Sequence, residues 1–134
     1  YIFSGWSGDA SGTTNPLTLT LTQDLNVTAS FTPNLWINSN SLGDNWYKLG
    51  DSFGTYYQSA QSWIYHLGMG WLYPASETSD SVWLYKVGRG WMYMKITDFP
   101  YLWDAKTMYW VYYGENNGQP SLYEYTSTEW VAFE

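Results

Sequence analysis

Ten tryptophans and fourteen tyrosines in 134 residues are the side chains of this protein with the most chemistry to offer. Each ring joins a flat apolar face to a polar tip, so it serves equally as a platform for a ligand or as core filling. Other reactive groups are sparse. His66 is the single histidine, cysteine is absent and no Gly-x-Ser-x-Gly motif occurs. A histidine-based metal cluster and a thiol or elbow-serine nucleophile are thereby excluded. Twelve acidic residues leave the paired-carboxylate chemistry of glycoside hydrolysis to be weighed. Asp44, Asp51, Glu77, Asp80, Asp104, Glu115, Glu124 and Glu129 fall mostly in turns or at strand ends, where solvated surface is the ordinary role. Asp9 and Asp24 lack the dense oxygen-donor spacing of a calcium loop. The expectation is a chain with no catalytic residue, cofactor or metal.

Composition narrows the partners. With 22% aromatic and only 13% charged residues the chain is not built for disorder. A net charge of −7 and a pI near 4.3 disfavour nucleic acid and anionic membrane surfaces, which need a basic patch. Five Lys and Arg spread over residues 48–106 do not assemble one. No apolar run approaches the roughly 20 residues of a membrane span, so membrane insertion is not expected. The length suits one domain or two very small ones, unsupported by disulfides. Opening at Tyr1 without a methionine, the chain reads as a fragment or a processed product.

The elements that must position the rings are visible as a repeat. "WIYH" (63), "WLYK" (83), "YLWD" (101) and "SLYE" (121) recur at intervals of 20, 18 and 20 residues. Each is followed by a second block: "WLY" (71), "WMY" (91), "WVY" (110) and "WVA" (130). The intervening turns are "LGMG" and "VGRG", then the glycine-free and longer "AKTMY" and "YTSTE". A divergent earlier copy is seen in "NWYKLGDSFGTYY" (45–57). Two β-rich blocks around a short turn make a β-hairpin, and a fixed period near 20 residues makes stacked units. The polar segments "PASETSDS" and "GENNGQP" are expected to connect them.

Strand residues alternate between faces. One parity holds Trp63, Tyr65, Trp71, Tyr73, Trp83, Tyr85, Trp91, Tyr93, Tyr101, Trp103, Trp110, Tyr112, Ser121, Tyr123 and Trp130. The other holds Ile64, Leu72, Leu84, Met92, Leu102, Val111, Leu122 and Val131. Each unit thus has an aliphatic and an aromatic face. The aromatic rings either wedge between units, each polar tip on a backbone partner, or stay exposed as stacking platforms. Under the second reading Trp63, Trp71, Trp83, Trp91, Trp103 and Trp110 are the candidate ligand-binding residues, each offering a flat face to a sugar ring. His66 shares the aliphatic parity and is expected to be structural. Lys86, Asp104 and Glu124 occupy its equivalent slot, and a slot so varied reads as solvated.

Residues 1–34 differ in kind, being rich in Thr, Ser and Gly. A short strand near Tyr1–Trp6, a loop in "SGDASGTTNP" and a hairpin of "LTLTLT" (17–22) with "NVTASF" (26–31) are expected. "FSGWSGDASGTTNPLTLTLTQDLNVTASF" resembles the second half of the divergent internalin-B-type repeats of bacterial surface proteins. The shared features are an aromatic, a GWSGD-like turn, an NP, an alternating strand, an acidic turn and a final V-T-A-x-F. The resemblance covers residues 1–33 and implies a small β-grasp-like fold in an extracellular setting. The first half of that repeat is missing, so either the chain is cut inside a domain or its missing strands come from another chain. Residues 63–134 are similar to the aromatic hairpin repeats of choline-binding and glucan-binding surface proteins. The wording "GTYY…SWIYH…GWLY" from Gly54 onward also looks like a C-terminal segment of large bacterial extracellular proteins.

The fold expected is all-β: aromatic hairpins of about 20 residues, stacked as a small solenoid or curled sheet, behind a partial β-grasp-like repeat. The divisions are 1–34, a linker at 35–45 and the hairpin domain at 46–134. The expected function is a non-catalytic extracellular or cell-surface module binding polysaccharide or cell-wall glycan. The alternative is a structural unit whose partner is another copy of the chain.

Overall fold

Side chains of two kinds alternating along short β-branched and aromatic segments favour strands that bury one face and leave the other out. A computed structural model describes residues 1–133; Glu134, the last residue of the expected hairpin domain, lies outside them. The N-terminal part is a two-stranded antiparallel sheet of β1 (Ile2–Gly8) and β2 (Val27–Thr32), running from Ile2 opposite Thr32 to Gly8 opposite Val27 with a shift of register between Phe3 and Gly5. Its loop is held by Trp6 Nε1 donating to the Thr14 carbonyl (2.9 Å), and by the Asp9 carboxylate accepting from Asn26 N–H (2.8 Å). The expected hairpin of residues 17–22 with 26–31 does not form. β2 pairs with β1 instead, and "LTLTLT" stays outside any strand, with Leu21 exposed. Alternation licenses a strand only where a partner edge is available to bond its backbone.

From Asn40 onward every strand pairs with its neighbours in the chain. β3 (Asn40–Gly43), β4 (Trp46–Leu49), β5 (Gly54–Gln58), β6 (Ile64–His66), β7 (Gly70–Ala75) and β8 (Ser81–Lys86) lead to β9 (Gly90–Lys95), β10 (Tyr101–Asp104), β11 (Tyr109–Asn116), β12 (Gln119–Glu124) and β13 (Glu129–Ala132). Together they form an eleven-stranded antiparallel sheet in unbroken order. A single helical turn, α1 (Gly50–Phe53), joins β4 to β5. The four sequence blocks meet as hairpins with Ile64 opposite Leu72, Leu84 opposite Met92, Leu102 opposite Val111 and Leu122 opposite Val131. They join edge to edge in one open, curled sheet. "GENNGQP" is not a loose connection either: β11 and β12 run through it to a two-residue turn at Asn117–Gly118, whose φ values of 53° and 74° suit a type I′ hairpin.

The sheet curls around its aliphatic face. Ile64, Leu72, Val82, Leu84, Met92, Met94, Leu102 and Leu122 are all fully buried in one cluster. At about 1.5–3 kcal/mol per buried aliphatic side chain, this face is the main driving force for the curl. A chain of rings closes the interior: Phe53 meets Phe99 at 5.5 Å, Phe99 meets Tyr113 at 5.8 Å and Tyr113 meets Phe133 at 5.5 Å.

Residues 35–45, expected as a linker, are built into this body. A 3-10 turn, Leu35–Asn38, buries Leu35 in the core, and β3 forms one edge of the sheet. Leu35 N–H donates to the Thr78 carbonyl (2.7 Å), while Trp36 Nε1 and Asn34 Nδ2 donate to the two Glu77 carboxylate oxygens. The Asn and Ser content of this stretch hid one deeply anchored leucine.

Candidate functional site: the aromatic outer face

With the aliphatic parity enclosed, the aromatic parity is the outer surface. All six candidate tryptophans lie on it. Trp71, Trp91 and Trp110 are 48%, 38% and 41% exposed, and Trp130 is 37% exposed. Trp63, Trp83 and Trp103 are half-buried beside them. The rings do not wedge between stacked units, because the hairpins lie side by side.

Cross-strand register organises the rings. Tyr65 faces Trp71 at 5.3 Å and Tyr85 faces Trp91 at 5.2 Å, both strongly inclined. Trp63 and Tyr73, then Trp83 and Tyr93, each meet at 5.5 Å. The third hairpin pairs Tyr101 with Tyr112 (5.4 Å) and Trp103 with Trp110 (5.8 Å), and the fourth pairs Tyr123 with Trp130 (5.4 Å). Such inclined pairs contribute about 0.5–1.5 kcal/mol each beyond area burial, so the rings hold one another upright. Gly114 belongs to this packing. A Cβ there would come within 2.7 Å of the Tyr112 ring and 3.2 Å of Trp130, so only glycine seats both.

Charge is nearly absent from the face. Among its strand residues only Lys48 and Lys95 are charged, and they pair at the margins with Asp51 (2.6 Å) and Asp80 (3.5 Å). The Lys48 ammonium holds the Asp51 carboxyl below its usual range. The rings bound shallow clefts. One is lined by Ser59, Gln61, Trp63, Trp71 and Val87, a second by Ala75, Ser76, Trp83, Trp91 and Ala105, and a third by Trp46, Tyr57, Tyr65 and Trp71.

Trp46, Tyr57, Tyr65 and Trp130 therefore belong to the surface although sequence reasoning did not choose them as candidates. Trp130 was readable from its block "WVA". Trp46 and Tyr57 sit in the divergent early copy, whose spacing obscures their parity.

The slot of His66, Lys86, Asp104 and Glu124 is a correction. It is not solvated; it is a polar layer at one end of the interior. Asp104 is completely buried, and its carboxylate and that of Glu124 both accept from Arg89 Nη2. Asp104 also accepts from Lys106 N–H (3.0 Å) and the Thr107 hydroxyl (3.1 Å). Lys86 Nζ donates to the Met69 carbonyl (3.1 Å) and lies 5.2 Å from the Phe133 ring centre. His66 Nδ1 accepts from Gly68 N–H (3.1 Å) and Met69 N–H (2.9 Å), and Nε2 faces the Phe53 carbonyl. Two N–H donors on Nδ1 assign the hydrogen to Nε2. The variety of these residues reflects separate partners, backbone groups for His66 and Lys86 and the Arg89 guanidinium for Asp104 and Glu124, which a column-by-column reading of the repeat does not reveal.

Comparison with known proteins adds one element. Residues 1–35 match the divergent InlB B-repeat domain. That family is a repeat domain found in bacterial surface proteins and is not a catalytic one. The match ends at Leu35, the first residue of the 3-10 turn that leads into the curled sheet. No curated protein matches the chain, and no solved structure does.

Proposed function

We propose that the protein is a non-catalytic module of a bacterial extracellular or cell-surface protein that binds polysaccharide or cell-wall glycan on its aromatic outer face. The observation that carries the reading is the succession of partly exposed tryptophans on one almost uncharged surface. A large exposed apolar patch marks a binding surface, and a pyranose presents an apolar C–H face to a flat ring while its hydroxyls stay in water. The InlB-type match over residues 1–35 supports the setting. Isothermal titration and intrinsic fluorescence against a panel of neutral polysaccharides test it. The double variant Trp71→Ala/Trp91→Ala should bind at least about tenfold more weakly, about 1.4 kcal/mol, and should still melt cooperatively, at a lower temperature because the ring pairs with Tyr65 and Tyr85 are lost. Absence of heat and quenching with every glycan would overturn the reading.

A second reading, an assembly unit, is favoured by the small N-terminal sheet. β2 is exposed throughout and, among the described residues, no strand pairs with its outer edge, while the outer edge of β1 meets only a single bridge from Trp6 to Gly12, an arrangement open to strand addition from another chain.

A further inference from the structure

We infer that the outer face carries two equivalent subsites for consecutive parts of one neutral glycan strand, and that small residues flanking the tryptophans, rather than the tryptophans alone, decide where the subsites are. This rests on the glycan reading above and adds the number, position and gating of the sites.

The two clefts are built alike. In the first, Trp63 stands beside Ser59, whose N–H donates to the Trp63 carbonyl (2.9 Å), and Trp71 stands beside Val87. In the second, Trp83 stands opposite Ala75, and Trp91 beside Ala105, whose N–H donates to the Trp91 carbonyl (3.0 Å). Each cleft thus lies between the first-strand and second-strand tryptophans of one hairpin, with a small or short side chain on either flank. Both are open to solvent along the face, a shape suited to a ligand that lies across the surface rather than one that is enclosed.

The third hairpin offers the corresponding rings, Tyr101 and Trp110, but its flanks are filled. Lys95 follows Met94, the residue opposite Leu102, and so stands beside Tyr101. Tyr125 follows Glu124, the residue opposite Val111, and so stands beside Trp110, close to the Tyr101 hydroxyl. A bulky neighbour occupies the space that Val87 and Ala105 leave open.

Geometry and charge name the occupant. Successive clefts are displaced by two strands and two residues, about 10 Å across the strands and about 7 Å along them, or roughly 12 Å centre to centre. One sugar ring does not bridge that distance; a chain of several rings does. Only uncharged side chains line either cleft, with hydroxyl and amide groups of Ser59, Gln61 and Ser76 at the rims. With a net charge of −7 and no cation in either cleft, the surface suits a neutral strand and repels an anionic one.

The test keeps every tryptophan in place. Val87→Tyr and Ala105→Tyr, separately and together, fill one cleft or both from exposed positions, and Tyr125→Ala opens the third. Binding of the full chain to maltohexaose, cellohexaose and a soluble neutral glucan is measured by titration and fluorescence, with polygalacturonate and choline chloride as contrasting probes. The expected result is a loss of about threefold or more for each single filling, tenfold or more for the double variant, and a gain for Tyr125→Ala with the glucan. Cooperative thermal melting should be retained in every variant. If the parent binds a neutral glycan and both fillings leave affinity unchanged, the subsites are overturned while the glycan reading stands. If the parent binds none of the neutral glycans, or responds only to polygalacturonate or choline, both fall.

Discussion

The imidazole of His66 shows how tightly the interior end layer is specified. Its Nδ1 is committed as an acceptor, and burial lowers its pKa below the ordinary value, with the Phe53 carbonyl pulling weakly the other way. The unfolded chain therefore takes up a proton before the folded one does. Stability from the neutral ring is fully present above the unfolded pKa of about 6.5 and is lost as pH falls toward the lower folded value. The melting temperature should be lower at pH 5.5 than at pH 7.5, and His66→Gln should flatten that difference. An equally steep variant would assign the pH dependence elsewhere. Arg89 occupies the matching position among the acids. It bridges Asp104 and Glu124 with one terminal nitrogen while its Nε has no protein partner, so the layer is paired but not saturated.

Among the elements, the hairpin turns differ in a way their sequences announce. Gly70 and Gly90 take φ of +72° and +105° in the first two hairpins, whereas Met108 and Thr128 take +59° and +58° in the glycine-free ones. A left-handed conformation costs a non-glycine residue roughly 1–2 kcal/mol, most where Cβ is branched. Thr128→Gly should therefore raise stability by up to about 1 kcal/mol once the added freedom of the unfolded glycine is subtracted. A thermal melt in which the variant is no more stable than the parent would refute this. The two-faced hairpins themselves were legible in the sequence, because the period of two survives in every block from Trp63 to Val131. The pairing of β1 with β2 was not, since the alternating residues 17–22 look as much like a strand as β2 does. Nor was the role of Leu35, one apolar residue whose partners lie in the core and in a loop more than forty positions away. The six candidate tryptophans share the outer face that their parity predicts, but their exposure depends on hairpins lying side by side, a fact of tertiary arrangement that no repeat spacing states.

At the scale of the whole molecule, every member of the main core cluster lies from Leu35 onward, whereas Phe3, Trp6 and Phe31 pack among themselves in the small sheet. The division falls where the InlB-type match ends. Removing residues 1–33 should leave the near-UV spectrum and melting of the curled sheet almost unchanged, and should abolish any concentration-dependent association seen by sedimentation velocity with the full chain. A truncated chain that melts without cooperativity would show the two parts to be one folding unit. Association that persists after truncation would place the self-contact on the curled sheet.

The unbroken strand order has a consequence for how such a molecule changes over generations. Because each ribbon bonds only to the ribbons made just before and after it, a duplication or loss of one hairpin preserves the direction of every remaining strand. What such an event alters is the girth of the enclosed space and the length of the aromatic stripe around it. The number of platforms can thus be lengthened or trimmed in whole steps, bounded only by how much volume the inner side chains can fill.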